Sequence, residues 1–223
     1  MEPCMLFGDL ISILLTLAIA AFFAIPATRG LYVTANAAAP LLLAFIKFAL
    51  LATGGEILAW RLKHKTYRLK GFGLLPKTLL WGIFGIIIYW AFGIFSGGVP
   101  KVFPFLTALP EPWRNILTAF AISLFLNLIF SPVFMLTHHL TDRFITANQG
   151  RFPIRQFNML TSLKGIDWDR MWGFVFTKTI PFFWIPAHTI TFMLPSEWRM
   201  IFAACLSVFL GIILGSVNKT KKS

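Results

Sequence analysis

Residues 37–60 read AAAPLLLAFIKFALLATGGEILAW, an almost wholly apolar run interrupted by one cation, Lys47, and one acid, Glu56. A helix needs about 20 residues to cross the hydrocarbon core of a bilayer, and this run has that length. An ionised side chain at the bilayer centre costs roughly 2.5–3.5 kcal/mol on translocon-based scales, so a charge at that depth faces a bundle interior or a wet cavity. The stretch therefore predicts a membrane-spanning helix with polar company. Lys47 and Glu56 stand nine residues apart, which at about 100° per residue turns them to opposite faces. They cannot pair within their own helix, so each must look to a different neighbour.

The pattern extends over the chain. Six apolar runs lie near residues 7–27, 37–60, 76–97, 114–137, 170–194 and 198–217. The hydrophobic fraction is 57% and the charged fraction 13%, against about 25% charged in soluble domains. In lipid only helices and closed barrels satisfy the backbone, and runs of this length are helices. The expected fold is all-α: a polytopic membrane bundle of about six transmembrane helices. A chain of 223 residues leaves no room for a soluble domain beside them, so residues 1–223 form one integral domain. The two cysteines, Cys4 and Cys205, lie at opposite ends and indicate no disulfide framework. Met1 to Phe7 carries no Lys or Arg, so neither a cleavable signal nor a transit peptide is expected.

The net charge of +12 follows from topology rather than from nucleic-acid binding. The stretch from Arg61 to Lys77 holds Arg61, Lys63, Lys65, Arg68, Lys70 and Lys77. The stretch from His138 to Arg170 holds Arg143, Arg151, Arg155, Lys164 and Arg170, and Lys219, Lys221 and Lys222 follow the sixth run. In a six-helix arrangement all of these fall on one side, and only Arg29, Lys101, Arg114 and Arg199 fall on the other. That asymmetry places both termini in the cytoplasm or its topological equivalent. The loop at 138–169 holds turn residues but also Phe144, Ile145, Phe152, Ile154 and Phe157. It reads as an amphipathic segment lying on the cytoplasmic face. Phe22 to Ala27 echoes Phe182 to Ala187, and chance similarity between Phe-rich helices accounts for that.

Few residues could carry chemistry. Lys178 on the fifth run is the expected partner of Glu56, at a depth mismatch of about 4–5 Å that long side chains can cover. Lys47 has no evident anion; Asn127 on the fourth run or a water-filled cavity would receive it. Pro132, Pro181 and Pro186 free backbone carbonyls within spans. His188, two residues past Pro186, reads as an interfacial hydrogen bonder. His138 and Asp142 share a helical face, but zinc would need a further ligand at a familiar spacing, and this stretch reads as a hydrated helix end. No nucleophile elbow, glycine-rich phosphate loop or carboxylate pair for acid–base work is present. No enzyme activity, metal or cofactor is expected.

Several short motifs carry a family resemblance. Pro40 through Thr53, with Gly55 and Glu56, is similar to a proline followed by a helix ending in Gly-Asp; Lys77-Thr78 with Gly85 resembles an Arg-Thr followed by a helix glycine; Phe182-Phe183-Trp184-Ile185-Pro186 resembles an Asn-Phe-aromatic-x-Val-Pro motif. These are motifs of the Mpv-type peroxisomal and mitochondrial inner-membrane protein family, and the resemblance covers about residues 38–217. Lys178 falls where that family has Gln, Trp60 where Gln is usual, and Ile190 where an Arg is expected; the first run would be an addition to the four spans commonly assigned. The resemblance implies a distant, bacterial relative of proteins linked to solute-channel activity.

The residues and the resemblance together lead to an expected small-solute channel or transporter whose polar interior includes Lys47, Glu56, Lys178, Asn127 and His188. The alternative is a non-transporting scaffold that engages a partner or anionic lipid through Lys63, Lys65, Arg68 and Lys70. The expected partners are membrane lipids, a small solute and further copies of the chain, without nucleic acid. The expected location is a bacterial inner membrane, with an organellar membrane as the alternative.

Overall fold

Prolines set the boundaries of the first three helices. In the computed structural model, which describes residues 3–217, α1 spans Pro3–Ala24, α2 spans Pro26–Ala38 and α3 spans Pro40–His64. Pro26 and Pro40 each stand at the start of a helix, where a missing N–H leaves no bond unmade. Ile25 before Pro26 is extended, with ψ of 123°, because proline disfavours the helical region for its predecessor. The first span therefore stops at Ala24 rather than continuing to 27, and the expected connection after it is a helix of 13 residues. The cations Lys219, Lys221 and Lys222 lie outside the described residues.

α4 runs Leu74–Val102. α5, Trp113–Phe125, continues through a π-helical turn at Leu126–Phe130 into α6, Ser131–Ala147. The π turn takes up the proline at 132, whose ring cannot continue an unbroken α-helical ladder. Two short helices, α7 (Met159–Lys164) and α8 (Trp168–Arg170), precede a π-helical segment, Met171–Trp184, that contains Pro181 and feeds α9, Ile185–Met193. α10 spans Ser196–Val217. The described residues are helical or irregular, without strands.

Among the described residues, four stretches are long and apolar enough to cross a membrane: Phe7–Ala24, Pro40–His64, Leu74–Val102 and Trp113–Ala147. The last runs ten residues beyond the expected end at 137. His138 and Asp142 consequently sit within α6, which continues to Ala147, and not at the expected helix end. What remains of the expected surface segment is residues 148–167, with a single 3₁₀ turn and α7.

The core forms where α3 meets α4 and α10. Ala44, Phe48 and Ala52 of α3 pack against Trp81, Phe84 and Ile88 of α4, with Ala203 and Ala204 of α10. Small residues let the backbones approach, as in membrane bundles generally. A Cβ placed on Gly55 would stand 2.7 Å from the Val208 Cα, which brings α3 and α10 into backbone contact.

The loop between α3 and α4 and the loop after α6 meet at one end of the bundle. Gly73 and Gly150 have φ of 78° and 85°, and a Cβ on Gly150 would lie 2.7 Å from the Gly73 nitrogen. Only glycine allows both the left-handed backbone and the close approach. This junction is called the loop end below; Pro40 and Ser196 begin their helices at the far end.

A three-helix charge cluster at the loop end: the candidate functional site

Lys77 lies in the first turn of α4, directly after the Gly73 junction, and is buried. A buried ammonium must be paired. Its Nζ donates to Glu56 Oε2 at 2.6 Å across the α3–α4 interface and to Asp142 Oδ1 on α6. Phe72 covers the ammonium, with its ring centroid 4.6 Å away. One turn along α4, Trp81 donates its indole N–H to Glu56 Oε1 at 2.7 Å. The i, i+4 spacing puts Lys77 and Trp81 on one face, and the same spacing on α6 aligns His138 with Asp142. His138 Nε2 stands 3.7 Å from Glu56 Oε1, and its ring lies against Trp81 with centroids 4.6 Å apart.

These side chains edge a narrow cleft of about 10 Å³, room for about one water molecule, that also reaches Thr141 and Phe84. It offers two carboxylates, one ammonium, an imidazole and an indole at the rim of a membrane-sized bundle. Glu56 is four-fifths buried and Asp142 three-fifths, so the site opens through Asp142. As it stands the cleft has space for a water molecule or an ion of similar size, and its carboxylates and ammonium can exchange hydrogen bonds with one. Among the described residues, no group of three or more His, Cys, Asp or Glu side chains is placed to hold a metal ion.

The expected ion pair between Glu56 and Lys178 is not formed. Both Glu56 oxygens are engaged by α4, and Lys178 is exposed. The expectation rested on matching depth, which leaves open the direction a side chain takes around its helix; Lys178 lies in a π-helical segment and is turned outward.

Lys47 is buried, as its charge required, but its partners differ from those expected. Its Nζ donates to Asn36 Oδ1 at 2.8 Å and to Tyr32 Oη at 3.2 Å, both on α2. Tyr32 in turn donates to the Glu197 carbonyl at 2.9 Å and stacks on Trp198. With α3 beginning at Pro40, Lys47 is two turns from the far end, and helical side chains lean toward the N-terminus. Its stem thus reaches the polar helix α2. The charge-cluster cleft does not include Lys47.

Asn127 belongs to a third, separate knot. It is fully buried at the π turn, donates to the Ser123 carbonyl at 2.8 Å and accepts from Ser131 Oγ at 2.9 Å. His188 is buried too, not interfacial, and its Nδ1 lies 3.0 Å from the Asn127 amide nitrogen. The ring is sandwiched between Trp184 and Phe92, at centroid distances of 5.3 and 5.6 Å. Ser123 donates to the Ile185 carbonyl at 2.7 Å, next to Pro186.

Lys63, Lys65, Arg68 and Lys70 are all exposed around the loop end. Beside them Arg61 pairs with Asp9 of α1 at 2.8 Å, and Tyr67 donates to the same carboxylate at 2.8 Å. Burial raises the Tyr67 phenol above its ordinary pKa, and the bond to Asp9 adds to that against an opposing bond from Ser12, so the phenol stays a donor.

Lys77 and Trp81 were not singled out from sequence as site residues. The signal available was the pair of i, i+4 spacings, Lys77 with Trp81 and His138 with Asp142, on segments that flank Glu56. A comparison of the chain with protein-family models, with characterised proteins and with solved structures finds no match in any of the three.

Proposed function

We propose that this chain is a multi-pass membrane protein that passes a small solute, with the Glu56–Lys77–Asp142 cluster as the ionisable element at the mouth of its path. The observation that carries the reading is the sharing of one buried ammonium by carboxylates from two other helices. Removing such charges from water costs several kcal/mol per ion, on the order of what a whole domain has to spare. Static packing of three helices is achieved with less by apolar side chains. An arrangement with more carboxylate than ammonium, open to solvent at Asp142, instead suits a group that releases one partner when a solute or cation arrives.

In this reading all six apolar stretches cross the bilayer, the loop end faces the cytoplasm with both termini, and the far end faces outward, as the distribution of cations favours. The membrane is a bacterial inner membrane, and the likeness of the 38–217 motifs to Mpv-type proteins supports a solute-passing role. The test is flux in liposomes. Folded protein reconstituted at defined density should release small polar solutes while retaining large ones; liposomes that stay tight to every small solute offered would remove the reading.

The four exposed basic side chains at the loop end favour one second reading, a membrane scaffold that engages an acidic partner. A partner that co-purifies with the wild type and is lost on neutralising Lys63, Arg68 and Lys70 would support it.

A further inference from the structure

α1 is fastened to the body at its two ends and stands off between them. At the loop end Asp9 binds Arg61 and Tyr67, and Ser12 Oγ lies 3.1 Å from Tyr67 Oη. At the far end Phe23 meets Tyr32 and Trp198 edge-on, with ring centroids 5.2 and 5.7 Å away. Every residue from 13 to 22 is exposed, so α1 is bare on all sides over that length. From Ser12 to Phe23 the helix rises about 16 Å. Asp9, Ser12, Thr16, Ala20 and Phe23 share the face turned to the body, by their spacing.

The opposing wall is α10. Trp198 touches α1, and Phe202, Cys205 and Phe209 follow it at helical spacings of four, seven and eleven residues along the same stripe. Cys205 and Phe209 are exposed, as they would not be if α1 lay against them. An apolar gap therefore separates α1 from the body, bounded by Trp198 of α10 at the far end and by Arg61 and Tyr67 at the loop end.

We propose that this slot holds the acyl chain of one anionic phospholipid, with its phosphate at the basic loop end. The anchors decide the occupant. Side chains of α1 and of the body touch at both ends, whereas a helix from a second copy is about 10–12 Å thick and cannot pass between them. A single hydrocarbon chain can. The sign of the headgroup follows from the rim: Lys63, Arg68 and Lys70 are exposed there, and Arg61 Nε at the mouth is a buried donor without a partner. Each basic side chain near such a surface favours anionic lipid by about 1 kcal/mol. This inference is independent of the transport reading.

The test is native mass spectrometry of the full chain after exchange into bilayers of phosphatidylglycerol or of phosphatidylcholine, followed by mild delipidation. The wild type should retain one phosphatidylglycerol per chain and prefer it at least about tenfold over phosphatidylcholine. Ala20→Trp, which fills the slot, should lose that lipid, and the triple variant Lys63→Gln, Arg68→Gln, Lys70→Gln should lose the preference. In a Cys4→Ser background, phosphatidylglycerol should also slow maleimide labelling of Cys205 more than phosphatidylcholine does, which keeps the proposal testable if Ala20→Trp fails to fold. Equal retention of both lipids by the wild type, equal labelling of Cys205 in both, or a lipid-free dimer would overturn it.

Discussion

The Lys77 ammonium lies 2.6 Å from the Glu56 carboxylate, joining the first turn of α4 to the last third of α3 before Asp142 adds α6. Lys77 therefore ties three helices together at the loop end, and the two acids are not equivalent to it. Lys77→Met leaves two carboxylates facing each other without an ammonium. Breaking a buried pair in this way costs about 3–5 kcal/mol, whereas Glu56→Gln leaves Asp142 to neutralise Lys77 and costs about half as much. Unfolding of purified protein in micelles should rank Lys77→Met as clearly the less stable; the reverse order would mean that the cluster is held from α3 rather than from α4.

Gly54 and Gly55 are neighbours with opposite surroundings. A Cβ on Gly54 meets nothing within 4 Å, whereas one on Gly55 stands 2.7 Å from the Val208 Cα. Gly54→Ala should leave stability unchanged or raise it by up to about 1 kcal/mol, as alanine does in a helix interior. Gly55→Ala should lower it by about 1–3 kcal/mol through forced separation of α3 and α10. Equal effects for the two variants would contradict the close approach of these helices.

Lys47 holds α2 to the far end through Asn36 and Tyr32. α2 has 13 residues and buries only Tyr32, so it has little else to retain it. Lys47→Met should speed amide hydrogen exchange across Pro26–Ala38 by about tenfold, equivalent to about 1.4 kcal/mol, while leaving α4 protected. Unchanged exchange in α2 would show that the ammonium does not fasten it.

Asn127 joins the π turn after α5 to Ser131 and His188 in a wholly buried knot. Asn127→Leu strips partners from Ser131, Ser123 and His188, and each stranded polar group costs about 1–3 kcal/mol. The variant should lose more stability than Ser131→Ala. Thermal unfolding of the two variants side by side decides this, and an equal loss would argue against Asn127 as the centre of the knot.

Much of the architecture was legible in the sequence, because length and hydropathy alone define an apolar helix. The opposed faces of Lys47 and Glu56 also followed from helical pitch, and the structure turns one to α2 and the other to α4. The partners were harder to read. Lys77 was assigned to a basic loop because it closes a run of cations, yet the left-handed Gly73 starts α4 early enough to bury it. Asp142 and His138 were assigned to a helix end because hydropathy falls after 137, yet the helix continues to Ala147. Lys178 was paired with Glu56 by depth alone, and depth does not fix which side of its helix a residue faces; the side chain is exposed. The helix α2 escaped notice because it is too polar and too short to span a membrane, and it supplies both partners of Lys47.

Solute flux through proteoliposomes containing wild type, Glu56→Gln or Asp142→Asn, each checked for helicity and monodispersity, measures whether the charge cluster governs permeation. The wild type should conduct small polar solutes, and each neutralised variant, though folded, should differ from it at least about tenfold, the effect of about 1.4 kcal/mol at the site. Equal flux from all three proteins, or none from any of them, would contradict the assignment of the Glu56–Lys77–Asp142 cluster to a solute path.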